Sequence, residues 1–240
     1  MIELRRAAGR FARVGHRGAS ALAPENTPEA FALAVELGCD MLEFDVLAKS
    51  DGTLVVAHDS RRVRDPGVVT LDDALAFCAE RLPGIGLQVD LKRRGIEPGV
   101  VAALRRHGVL ERSWVSGFDA DSLRRIAAVD PGLPRSFTLP RDRFGVSKRG
   151  PLAPLVRAAL RSLGSSLPRR IPALLARAGA TALTLHHSVA SAEAIATAHE
   201  LGAPVYVWTV DDPVLAGTLV RWGADGIISN DPRVFTGLTT

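Results

Sequence analysis

The chain has 240 residues, 47% of them hydrophobic and 23% charged, with only two cysteines, Cys39 and Cys78. That length accommodates one α/β barrel with a substantial core. The cysteine count and spacing exclude a disulfide framework, a zinc ribbon and a thioredoxin-type redox motif. No apolar run approaches the roughly 18 residues of a membrane span, and the opening MIELRRAAGRFARV lacks the apolar core of a signal peptide, so a soluble cytoplasmic protein is expected. The net charge of +4 is unevenly spread: residues 141–177 hold nine basic side chains against one acid, Asp142, which leaves the rest acidic on balance. With Phe144 as its single aromatic, that segment argues against nucleic acid. It fits an anionic ligand, or weak contact with an anionic membrane, better.

In chain order, strands are predicted at 13–16, 41–46, 86–91, 113–117, 134–138, 181–186, 204–209 and 226–229. Helical patterns lie between them, at 27–37, 70–81, 97–107, 119–129, 171–179, 189–201 and 211–222. Thr27 before Pro28, Thr70 before Leu71-Asp72-Asp73, and Asp211-Asp212 before Pro213 have the chemistry of helix N-termini. The strands read as nearly continuous apolar runs, as strands buried on both faces do. Eight β-α alternations over one continuous domain, residues 1–240, predict a (β/α)8 TIM-like barrel. An open doubly wound sheet is the alternative on periodicity alone, but no strand-to-helix turn carries G-x-G-x-x-G or a P-loop. Two segments break the rhythm. Asp51-Gly52 signals a hairpin after the second strand, with a short extra strand at 54–57. The stretch 139–170 is too long for an ordinary loop; Leu152, Leu155, Val156, Ala159, Leu160 and Leu163 predict a basic helical insertion there.

Polar groups concentrate at the predicted C-terminal ends of the first strands, where barrels of this kind build their sites. Strand one runs into His16-Arg17-Gly18. Glu43 and Asp45 lie two apart on strand two, hence on one face, as do Asp90 and Lys92 on strand three. The hairpin strand ends in His58-Asp59. Taken singly, a strand carboxylate is an ordinary rim hydrogen bonder and a His-Asp pair an ordinary turn. Together on neighbouring strands they point to a site. Three carboxylates without a thiolate suit one hard divalent cation, Mg²⁺ or Ca²⁺, rather than zinc. An Arg and a Lys beside such an ion suit a phosphate, and two histidines supply a base and an acid.

The stretch GHRGASALAPENTPEAFALAVELGCDMLEFDVLAKSDGTLVVAHD resembles the signature of glycerophosphodiester phosphodiesterases, and LQVDLK, WVSGF, VYVWTVDD and GADGIISNDP follow in the order that family shows. The resemblance spans about residues 13–234. It implies a TIM-like barrel that uses a divalent cation to hydrolyse a small-molecule glycerophosphodiester to an alcohol and glycerol 3-phosphate. It implies His16 and His58 as the acid/base pair, Arg17 and Lys92 as phosphate contacts, and Glu43 and Asp45 as metal ligands. Asp90 stands where the family usually has Glu, which puts a third metal contact in question. The family's insertion after His-Asp is short here, so an open site is expected, with 139–170 overhanging the mouth.

Phe118 and Trp208, past two strand ends, are candidates to stack on the glycerol or alcohol group. Glu25-Asn26-Thr27 reads as a helix cap ordering a loop, and Asn230-Asp231 as a structural turn. His107 and His199 are expected to face solvent. Two rival readings are a lysophospholipase D-like phosphodiesterase on a lipid and a catalytically silent barrel that binds a phospho-ligand.

Overall fold

The computed structural model describes residues 1–7, 9–140 and 153–238. Among these residues are nine strands: β1 (Ala12–His16), β2 (Met41–Ala48), β3 (Leu54–Val56), β4 (Gly86–Leu91), β5 (Ser113–Gly117), β6 (Arg135–Leu139), β7 (Ala182–His186), β8 (Val205–Trp208) and β9 (Gly226–Ser229). Their order is β1-β9-β8-β7-β6-β5-β4-β2-β3, and β1 also pairs with β2. That last pairing closes eight parallel strands into a (β/α)8 barrel. β3 is the exception: it pairs antiparallel with β2, Val46 opposite Val56, which is the hairpin signalled by Asp51-Gly52.

Helices α1 (Pro28–Glu36), α2 (Leu71–Arg81), α3 (Glu97–Arg106), α4 (Ala120–Val129), α5 (Ala153–Ala178), α6 (Ala192–Glu200) and α7 (Pro213–Arg221) lie between the strands. Five of them start on a side-chain cap, from Thr27, Thr70, Asp119, Ser191 or Asp212, each accepting a backbone N–H of the first turn. Asp212 is the cap of α7, which leaves Asp211 for other work. Both faces of the strands are covered. The larger core lies between barrel and helices, while Leu4, Val14, Met41, Trp114, Tyr206 and Ile228 belong to a smaller one. The Tyr206 hydroxyl donates to the Leu4 carbonyl, drawing the N-terminal segment onto this second core.

One element departs from expectation. Helix 171–179 is not separate from the insertion; α5 runs unbroken for 26 residues through Pro168 and Pro172. A proline costs about 3 kcal/mol inside a helix, and the sequence therefore suggests a break. Packing overrides it: Leu167, Ile171, Leu175 and Ala178 form one buried stripe at helical spacing, each large apolar side chain contributing about 1.5–3 kcal/mol. Of the basic segment 141–177, residues 141–152 lie outside the described residues. Among the described residues no helix is long and apolar enough to cross a membrane.

Candidate active site

Register brings the polar groups together. His16 of β1 lies beside Glu43 of β2. Asp45 of β2 lies beside Asp90 of β4, and Asp90 in turn beside Ser116 of β5. A strand's two-residue period puts Glu43 and Asp45 on the same side of β2. All three carboxylates are buried, and each offers an oxygen within 4.8 Å of the others.

Two cations interleave with them. Lys92 Nζ lies 2.7 Å from Asp45 Oδ1 and 2.6 Å from Asp90 Oδ2. Arg17 Nε lies 2.9 Å from Asp45 Oδ2, its Nη1 donates to Glu25 Oε2 at 2.7 Å, and its backbone N–H donates to Glu43 Oε2 at 3.1 Å. The Ser116 hydroxyl donates to Asp90 Oδ1 at 2.6 Å and itself accepts from Gln88.

These neighbours push the two acids of β2 in opposite directions. Burial raises the Glu43 carboxyl well above its usual range, and the charges of Asp45 and Asp90 act the same way, outweighing Lys92 and Arg17. Burial alone would raise Asp45 too, but Lys92 and Arg17 overcome it and hold that carboxyl below its usual range. The negative charge thus exceeds what Arg17 and Lys92 offset. Three hard oxygen donors under that excess fit Mg²⁺ or Ca²⁺ and offer nothing soft for zinc.

The loop after β1 is held tightly against these carboxylates. Arg17 and Asn26 adopt φ of +55° and +62°, a region that costs a non-glycine residue energy and clusters at functional sites. Asn26 explains its own conformation: its Nδ2 donates to Asp45 Oδ2, and its Oδ1 accepts the Asp45 backbone N–H. Gly18, at φ +79°, passes so close to α1 that a Cβ there would lie 2.5 Å from the Ala30 carbonyl carbon.

The histidines sit on either side of this loop. His16 is largely buried, with 12% of its side chain exposed; its Nδ1 lies 2.6 Å from Asn230 Oδ1, and its Nε2 faces Glu43 Oε2 at 3.8 Å. Burial, helped by Arg17, lowers its pKa to about 4. His58 follows β3, placed by the Ala57 N–H donating to the Asp45 carbonyl; its side chain is 37% exposed, with Nδ1 3.7 Å from Asp59 Oδ2. Burial and Arg17 lower its pKa as well. Beyond Lys92 runs an aromatic wall. Lys92 Nζ lies 5.7 Å from the Phe118 ring centre, Phe118 meets Trp208 edge-on at 5.8 Å, and Trp208 meets His186 edge-on at 5.1 Å.

All nine residues singled out in the sequence therefore fall in one connected neighbourhood at the C-terminal mouth. Some others are reassigned. Thr27 is the cap expected, but Glu25 and Asn26 hold Arg17 and Asp45. Asp231 does order the turn Pro232–Phe235, whereas Asn230 turns inward to His16. His107 bonds Asp72, and His199 bonds the buried Asp225 rather than facing solvent alone. Spacing carried no hint of the Asn26–Asp45 or Asn230–His16 pairs, which join residues 19 and 214 positions apart.

The model of the glycerophosphoryl diester phosphodiesterase family matches residues 16–69 and 92–234. A glycerophosphodiester phosphodiesterase of Caldanaerobacter subterraneus subsp. tengcongensis is 28% identical over 94% of this chain and 96% of its own. A glycerophosphodiester phosphodiesterase structure from Parabacteroides distasonis superposes with a TM-score of 0.75 at 21% identity, covering 97% of this chain and 98% of that one. The structure of an Oleispira antarctica phosphodiesterase with the product sn-glycerol-3-phosphate does so with a TM-score of 0.70 at 22% identity, covering 95% and 96%.

Proposed function

The chain belongs to the glycerophosphoryl diester phosphodiesterase family, and from that membership we propose that it hydrolyses glycerophosphodiesters to an alcohol and glycerol 3-phosphate with one divalent cation, Mg²⁺ or Ca²⁺. The observation that carries the reading is the buried trio Glu43, Asp45 and Asp90, interleaved with Arg17 and Lys92 between two histidines. The trio would hold the cation, which supplies charge neutralisation at the phosphoryl oxygens.

The remaining roles belong to this chain's side chains. Arg17, clamped by Glu25 and Asp45, keeps guanidinium donors for phosphate oxygens. Lys92 adds a point charge beside them. Such preorganised charges are the largest contribution in sites of this type. The nucleophile is a water, or the glycerol 2-hydroxyl, in which case a water then opens the cyclic phosphate to give glycerol 3-phosphate. His16, neutral at physiological pH because it is buried, takes the nucleophile's proton at Nε2. His58, nearer solvent, protonates the departing alkoxide as its bond to phosphorus breaks, in the imidazolium form that the anionic substrate would favour against the lowering by burial and Arg17. Phe118 and Trp208 line the place of the alcohol or glycerol carbons.

A second reading, a lysophospholipase D-like activity on lipid, is favoured by α5. A Cβ on Gly164 would lie 3.5 Å from Val189 Cα, just past the end of β7. About 16 Å of helix precedes that contact. This stretch lies on the mouth side, with Leu155 70% exposed and Arg161 on the surface. Weak contact with an anionic membrane there would present the mouth to lipid.

The test is product analysis with glycerophosphocholine, glycerophosphoethanolamine and lysophosphatidylcholine in Mg²⁺, Ca²⁺ or EDTA. Expected is cation-dependent release of glycerol 3-phosphate, abolished by EDTA and restored by either cation. Preferential turnover of the lysolipid would establish the second reading. Tight substrate binding without turnover would overturn both in favour of a silent binding barrel.

A further inference from the structure

We infer that Asn230, itself anchored by Asp211, is a positioning residue that fixes the tautomer and the aim of His16. The inference rests on the reading of His16 as an acid/base group.

Asn230 lies at the end of β9, next in the barrel to β1. Its Oδ1 lies 2.6 Å from His16 Nδ1 and accepts the Ser20 hydroxyl at 3.0 Å. Its Nδ2 donates to Asp211 Oδ2 at 2.7 Å, and its backbone N–H donates to Asp211 Oδ1 at 2.8 Å. Asp211 Oδ1 also accepts the Ser229 hydroxyl at 2.8 Å. A carboxylate only accepts, so it admits one orientation of the amide, with the NH₂ toward Asp211 and the oxygen toward His16. An amide oxygen only accepts as well. A neutral His16 must therefore carry its proton on Nδ1. The lone pair is then left on Nε2, the nitrogen that faces Glu43 and the mouth.

The arrangement has the form of an orienting group behind a ring nitrogen, but here the group touching the ring is neutral and the anion stands one residue behind it. Asp211 is free for this because Asp212 caps α7 in its place. The anchoring thus links the β8–α7 connection, the end of β9 and the end of β1. Rotation of the ring about its χ angles, or exchange of the proton to Nε2, would each break the 2.6 Å bond.

Nitrogen-15 spectra of the histidine-labelled protein, compared with His16→Ala for assignment, read the tautomer at a pH where the ring is neutral. The wild type is expected to show a protonated Nδ1 and a bare Nε2 at His16, and Asn230→Ala a mixture of tautomers. Asn230→Ala is expected to lower kcat by about 10²-fold, the scale set by misplacing a reacting group, with KM little changed. Asn230→Asp sets two carboxylates against each other and should also lose activity. The exchange Asn230→Asp with Asp211→Asn restores every donor and acceptor, and should recover most of kcat and the Nδ1–H signal. Spectra that place the wild-type proton on Nε2, or a rescue that fails while the exchanged variant melts like the wild type, would overturn the inference. If His16→Ala itself retained kcat, the acid/base reading of His16 would fail instead; loss in His16→Ala with full activity in Asn230→Ala would refute only the positioning role.

Discussion

His16 and Glu43 lie 3.8 Å apart and respond to burial in opposite senses. A buried imidazole resists gaining charge, and a buried carboxyl among other carboxylates resists losing its proton. Between about pH 4 and 6.5, the unfolded chain binds a proton at His16 that the folded one does not, so His16 adds stability as pH rises. Glu43 does the reverse. Its folded form keeps a proton that the unfolded chain releases above about pH 4.5, so its contribution is present in acid and lost as pH rises. In the metal-free protein the two slopes oppose across the shared window. Glu43→Gln should unmask the His16 slope, so that stability climbs between pH 4.5 and 6.5 relative to wild type. His16→Gln should tilt the curve the other way. Urea denaturation in EDTA across that range checks the pair, and parallel curves for the two variants would contradict the opposed environments.

At the scale of elements, the contact of α1 with the loop after β1 sets where Arg17 stands. Gly18 touches the Ala30 backbone and has a left-handed φ, so Gly18→Ala must push α1 outward or unwind the loop. A loss of about 1–3 kcal/mol in stability is expected, together with a fall in kcat, because the Arg17–Asp45 and Asn26–Asp45 bonds share that loop. Gly226 provides the contrast. A Cβ there would lie 2.3 Å from the Tyr206 ring, in the second core with Leu4 and Trp114. Gly226→Ala should therefore destabilise by a similar amount while leaving kcat near the wild-type value at a temperature where it stays folded. Thermal melts beside steady-state kinetics separate the two. Equal loss of kcat in both would mean that the loop has no special role.

For the molecule as a whole, the ion's proposed ligands come from β2 and β4, neighbours in the closed barrel, and the unfolded chain has no such cluster. Binding to the folded state alone stabilises it by mass action, by about 2.7 kcal/mol at one hundred times Kd. Adding Mg²⁺ or Ca²⁺ to the metal-free protein should raise its melting temperature in a concentration-dependent way. The same titration on Asp45→Asn should show a much smaller rise. A wild-type melting temperature indifferent to both cations would argue against the trio as a cation site, independently of any activity assay.

Local features of the sequence were enough for the alternation of strands and helices, the caps at Thr27, Thr70 and Asp212, the Asp51-Gly52 hairpin and the pairing of Glu43 with Asp45 on one face. Each depends on residues within a few positions of one another, where periodicity and capping chemistry act directly. The continuity of α5 was not legible, because two prolines argue locally for a break and only a buried stripe against the barrel overrides them. Nor were the partners that aim the site: Asn26 on Asp45, Ser116 on Asp90, Asn230 and Asp211 behind His16. Strand register and barrel closure bring those groups within hydrogen-bonding distance, β9 beside β1 joining residues 214 positions apart. The residue types of the site were thus set by the sequence read locally. Which atom of each side chain faces which partner was decided only when the sheet closed, because closure alone determines which strand ends become neighbours.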